Sequence, residues 1–78
     1  MNDFEKLMNQ YLEDAGWTLS ELAEKSLIHK IYWNKWFSGT ALPTKTQVAL
    51  IANALWKRLD TQPIDIFLQI TMTLEKQQ

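Results

Sequence analysis

Apolar residues in this chain fall into groups separated by glycine, proline or small polar residues, and the spacing within each group sets the element expected there. Phe4, Leu7, Met8, Tyr11 and Leu12 recur at i, i+3, i+4, i+7 and i+8. That is one apolar stripe on a helix from about Asp3 to Ala15, with Gly16 as its left-handed stop. Thr18 and Glu21 have the spacing of a capping box, in which each side chain satisfies the other residue's free backbone N–H, so a second helix should begin at Leu19 with Trp17 placed to staple onto Leu22. Leu22, Ala23 and Ser26 use up its apolar face within two turns, and the small Ala23 suits close approach by another helix across a turn of three or four residues.

A third helix is expected from about Lys30 to Phe37. Trp33 and Trp36 fall on one side of it, while Lys30, Ile31, Asn34 and Lys35 turn the other way. Ser38, Gly39 and Thr40 end it, and Ala41, Leu42 and Pro43 form a loop. Thr44 and Gln47 make a second capping box, opening a helix with Val48, Ile51, Ala52, Leu55 and Leu59 inward. Asp60 to Pro63 break it.

The last segment supports two readings. Ile64, Ile66, Leu68, Ile70, Met72 and Leu74 alternate with other residues at a period of two, as in a strand. Pro63 at a helix start, with Ile64, Phe67, Leu68 and Thr71 at helical spacing, favours a helix, because a lone strand would leave its backbone groups unpaired. As a strand, it would pair with its copy in a second subunit. No repeat, low-complexity stretch or linker interrupts the chain, so residues 1–78 read as one all-α domain, a bundle of about five short helices.

A chain of 78 residues buries only about 60% of its unfolded surface, so its core must be dense in large side chains. Four tryptophans, three phenylalanines and two tyrosines supply that density. With no cysteine and one histidine, disulfides, thiol catalysis, zinc fingers and His-rich metal sites are excluded, and neither metal nor cofactor is expected. The longest apolar run, Val48 to Ala52, is five residues against the roughly 20 that span a bilayer. Asp3 and Glu5 stand where a signal peptide would be positive, which makes a cytoplasmic location the expectation.

The net charge of −1 hides an asymmetry. Residues 1–24 set six acids against Lys6, a net of −5, whereas residues 25–58 hold Lys25, Lys30, Lys35, Lys45, Lys57 and Arg58 with no acid, a net of +6. The remainder adds −2. An acid-free middle section is a candidate surface for a polyanion, or else a solvated face on which the charges cluster by chance.

The order Thr18-x-x-Glu21-Leu22-Ala23, apolar Ile28 in the turn, Trp36-x-x-Gly39, Pro43 and Ile51-Ala52-x-Ala54-Leu55 resembles the helix-turn-helix core of the lambda-repressor/Cro family. The resemblance covers about half of the chain. It implies that residues 19–26 form a positioning helix and residues 30–37 a recognition helix lying in the major groove of DNA. It therefore implies a non-enzymatic, sequence-specific DNA-binding transcriptional regulator, expected to act as a homodimer on double-stranded DNA with half-sites about 34 Å apart.

By position, Lys30, Ile31 and Lys35 match the family's base readers, with Tyr32 and Asn34 beside them. Lysine suits guanine acceptors, asparagine adenine, and isoleucine a thymine methyl. Ser38, Thr40, Thr44, Lys45 and the helix amino-termini at Thr18 and Thr44 are then expected at phosphates. Three positions depart from the family pattern: Leu27 stands where glycine is usual in the turn, Leu19 where a phosphate-binding glutamine often stands, and His29 where Ser or Thr usually caps the recognition helix.

Ile31, Tyr32 and Phe37 place apolar side chains on or near a face that should be wet. The alternative function is accordingly a protein-interaction adaptor that uses this patch on a helix-turn-helix scaffold, with weak or no DNA binding. For an enzyme the chain offers no paired pocket carboxylates, no glycine-rich phosphate loop and no nucleophile motif, and His29 reads as a cap.

Overall fold

A computed structural model describes residues 2–77, and within them the chain forms five α-helices and no strand: α1 Asp3–Ala15, α2 Leu19–Ser26, α3 Lys30–Ser38, α4 Lys45–Leu59 and α5 Pro63–Gln77. Each of the first four starts at a side chain that accepts a hydrogen bond from a free amide of its first turn. Asn2 Oδ1 takes the Glu5 amide at 2.8 Å and His29 Nδ1 takes the Ile31 amide at 3.1 Å, while Thr18 with Glu21 and Thr44 with Gln47 form complete capping boxes.

The carboxyl ends are equally defined. Gly16, Leu27, Gly39 and Asp60 follow α1 to α4, and all four are left-handed. Glycine adopts that conformation without a Cβ clash, whereas Leu27 at φ 61° bears the strain of a branched side chain. The turn between α2 and α3 thus keeps the shape that glycine usually gives it, with the amide of Ile28 donating to the carbonyl of Ala23 at 3.1 Å.

The strand alternative for the last segment fails, and the reason is geometric. Ile66, Ile70 and Leu74 point inward while Ile64, Leu68 and Met72 point outward. Two stripes of period four on opposite sides of one helix interleave into an apparent period of two.

The core is built around aromatic rings. Phe4 of α1 lies 6.3 Å from Trp33 and 5.9 Å from Trp36 between ring centroids, and the two tryptophans meet edge-on at 4.9 Å. Contacts of this kind add about 0.5–1.5 kcal/mol each beyond area burial. Met8, Leu22, Ile51, Leu55, Ile66 and Ile70 are also fully buried, so every helix contributes. α4 packs against α5, α2 and α1, and α3 rests on α1 and α2.

Asn2 fixes α3 from the far side: its amide donates to the carbonyls of Trp36 at 3.0 Å and Phe37 at 3.3 Å. The amide of Phe4 donates to Gln77 Oε1 at 2.9 Å, joining the start of α1 to the end of α5.

Candidate nucleic-acid interface

α3 has two unlike sides. Trp33 and Trp36 are buried, and the Trp33 indole N–H donates to the Ile28 carbonyl at 3.3 Å, which locks the rotation of the helix about its axis. With the tryptophans inward, the 3.6-residue turn forces Lys30, Ile31, Asn34 and Lys35 outward, and all four are exposed. Tyr32 sits at the flank, about half exposed, its ring 6.4 Å from that of Trp36.

Phe37 does not belong to this surface. Its ring lies 6.0 Å from Phe4 and 6.1 Å from Trp33, so it packs on the core, and the outward patch is reduced to Ile31 and Tyr32. Helical spacing explains the difference, since Phe37 follows Trp33 by four residues and shares its side.

The first residue of α3 is tied to α2. Lys30 Nζ donates to Ser20 Oγ at 3.2 Å, which leaves two ammonium hydrogens for an outside acceptor. Sequence reading passed over Ser20, for nothing in its spacing marks it until α2 and α3 are set side by side.

At the other end of α3, the carbonyl of Lys35 accepts from the Thr40 amide at 3.0 Å, Thr40 Oγ1 at 3.2 Å and Ser38 Oγ at 3.1 Å. Both hydroxyl donors are therefore engaged within the turn, and a phosphate would have to draw them away from that carbonyl. Thr44 differs. Its oxygen accepts from the Gln47 amide at 3.2 Å and its own amide donates to Gln47 Oε1 at 2.8 Å, so the hydroxyl proton remains available. Lys45 follows it, exposed, as the first residue of α4.

The amino-termini also differ in charge. The first turns of α3 and α4 hold no acid, whereas α1 has Asp3 and Glu5, α2 has Glu21 and α5 has Asp65. At the start of α2 the Glu21 carboxylate already accepts from the Thr18 amide at 3.1 Å and from its hydroxyl at 3.2 Å. That end carries its own anion and would repel another.

The acid-free middle section divides in space. Lys30, Lys35 and Lys45 stand on α3 and the start of α4. Lys25 and Arg58 instead gather at Trp17, 5.1 Å and 5.9 Å from its ring, with Arg58 Nε donating to the Ala15 carbonyl at 2.7 Å, and Lys57 lies over Trp56 at 5.4 Å. Three of the six cations thus serve helix carboxyl ends and indole faces. Among the described residues no cluster of His, Cys, Asp and Glu could hold a metal ion, and no helix is long and apolar enough to cross a membrane.

A family model described as helix-turn-helix matches residues 8–60, a span that runs from within α1 to the end of α4 and takes in more than half of the chain. No curated protein and no solved structure matches it.

Proposed function

This chain belongs to the helix-turn-helix family of the lambda-repressor/Cro type, and on that premise we propose that it is a non-enzymatic, sequence-specific DNA-binding transcriptional regulator. The carrying observation is the division of α3: a tryptophan side locked into the core and a lysine side open to solvent. A helix of this diameter fits the major groove, and the residues that reach base edges are those of its outer face and first turns.

Lys30 and Lys35 suit the O6 and N7 acceptors of guanine, Asn34 suits adenine, and Ile31 with Tyr32 beside it suits a thymine methyl. Thr44 and Lys45 hold phosphate at the acid-free start of α4, and Ser38 and Thr40 do so once their hydroxyls turn from the Lys35 carbonyl. The start of α2 takes no part, because Glu21 occupies it. The reader is a homodimer, with two α3 helices entering successive major grooves about 34 Å apart.

Selection from random duplex DNA at two salt concentrations tests this reading. The expected product is a two-fold motif with half-sites one helical turn apart and binding that falls steeply with salt, as counterion release requires. No enrichment at the lower salt would overturn it.

One observation favours a second reading, a protein-interaction adaptor: Ile31 and Tyr32 are exposed apolar side chains on the same helix, and Leu27 just before it is 85% exposed. Retention of a protein partner after nuclease treatment, lost in Tyr32→Ala, would support it over DNA binding.

A further inference from the structure

Three cations of the acid-free middle section take no part in the α3 surface. Lys25 stands in the last turn of α2, Lys57 and Arg58 stand in the last turn of α4, and with Trp17 and Ala54 they line one open cleft of about 470 Å³. No acid lines it. The acids nearest along the helices are engaged elsewhere. Glu21, one turn before Lys25, accepts from the Thr18 amide and hydroxyl, and Asp14 at the end of α1 accepts from Gln10 Nε2 at 3.0 Å.

Two of the three charges share one ring. Lys25 Nζ and Arg58 Cζ lie 5.1 Å and 5.9 Å from the centre of the Trp17 ring, so they repel each other, and an anion set beside them relieves that repulsion. Donors remain for such an anion. Arg58 spends Nε on the Ala15 carbonyl, and its two terminal nitrogens have no acceptor among the described residues. Lys25 and Lys57 are exposed.

The setting selects the kind of anion. A compact phosphate is ordinarily held by the free amides of a helix amino end, whereas this cleft gathers the carboxyl ends of α1, α2 and α4, which offer carbonyls. Its donors are side chains alone, spread around a ring, which suits carboxylates spread along a chain. Trp17 and Trp56 are only partly buried, so indole surface stands between the charges for an apolar side chain, and tryptophan is enriched where protein partners bind most strongly. Both faces of such a surface, apolar and cationic, are then used. Lys57 follows Lys45 by twelve residues of α4, ~18 Å along the helix axis, so the cleft stays open while the amino end of α4 meets a phosphate.

We propose that Lys25, Lys57 and Arg58, set around Trp17, form a docking surface for an acidic segment of a partner protein, its carboxylates on the cations and an apolar side chain of it against the indole. This surface is separate from the Ile31 and Tyr32 patch, and it does not depend on the reading of DNA by α3.

The probe is a synthetic peptide of glutamates interleaved with leucines, titrated into the full chain and followed by nuclear magnetic resonance at the indole N–H of Trp17 and the amides of α3. The Trp17 signal is expected to move and the α3 amides to stay, with binding that weakens as salt rises. Lys25→Ala/Lys57→Ala should weaken binding about three- to tenfold with helices intact, while Lys30→Ala/Lys35→Ala should leave it unchanged. Arg58 is kept in these variants because it holds the Ala15 carbonyl. The same peptide with glutamine for glutamate should not bind, and inorganic tripolyphosphate at equal charge should move the Trp17 signal less than the acidic peptide does.

A Trp17 signal that stays still at millimolar peptide, equal binding of the glutamine peptide, or a loss that follows the α3 lysines instead would each overturn the proposal. Tripolyphosphate that binds the cleft as well as the peptide would overturn it in favour of a phosphate site. Peptide docking by a chain that binds no duplex would sink the DNA reading and spare this surface, and duplex binding by a chain whose Trp17 ignores the peptide would do the reverse.

Discussion

Lys30 Nζ donates to Ser20 Oγ across 3.2 Å, so the first residue of α3 is held against the first turn of α2. The bond spans the seam between the two helices and limits where the ammonium can point. Ser20→Ala should leave thermal stability nearly unchanged, within about 0.5 kcal/mol, because the pair is exposed. It should still weaken DNA binding, by less than Lys30→Ala does, because the freed lysine must be ordered on contact. Melting curves and duplex titrations of the two variants check this.

Leu27 should be improvable. It holds φ 61° with 85% of its surface exposed, so it bears left-handed strain of about 1–2 kcal/mol while packing against little. Leu27→Gly removes that strain and gives part of it back as unfolded-chain entropy, leaving a net gain of up to about 1 kcal/mol. The melting temperature should rise by a few degrees. A fall would mean that the Leu27 side chain stabilises the turn.

Burial pushes the Tyr11 phenol up from 10.0 to about 12, and its hydroxyl donates to Gln69 Oε1. The folded protein keeps this proton at a pH where the unfolded chain has lost it. The contribution of Tyr11 is therefore complete below pH 10 and is lost as pH rises from 10 to about 12. Denaturant midpoints of the wild type should fall across that window more steeply than those of Tyr11→Phe, which lacks the group and shares every lysine. Parallel curves would contradict this.

The helices were legible because their punctuation is local. Thr18 with Glu21 and Thr44 with Gln47 announce their starts in four residues each, and Gly16 and Gly39 mark stops that any L side chain would strain. The inward turn of Trp33 and Trp36, and with it the outward turn of Lys30 and Lys35, follows from the same periodicity. The strand-like alternation of α5 was ambiguous for a physical reason: one stripe faces the core and the other faces out, and sequence alone does not say which apolar residues are covered. Contacts between distant positions were illegible. The bond from Ser20 to Lys30, the packing of Phe37 on Phe4 and the gathering of Lys25 and Arg58 around Trp17 exist only once the helices are assembled.

The division of α3 into a locked and an open side is tested most directly by removing equal charge from two places. Titration of a selected duplex should compare the wild type with Lys30→Ala/Lys35→Ala and with Lys25→Ala/Lys57→Ala, each shown by circular dichroism to keep its helices. Loss of the α3 pair should cost about 1–3 kcal/mol for each lysine that meets a base, while loss of the other pair should change affinity only slightly. Equal losses in the two variants, or none in the first, would contradict the assignment of α3 as the reading helix.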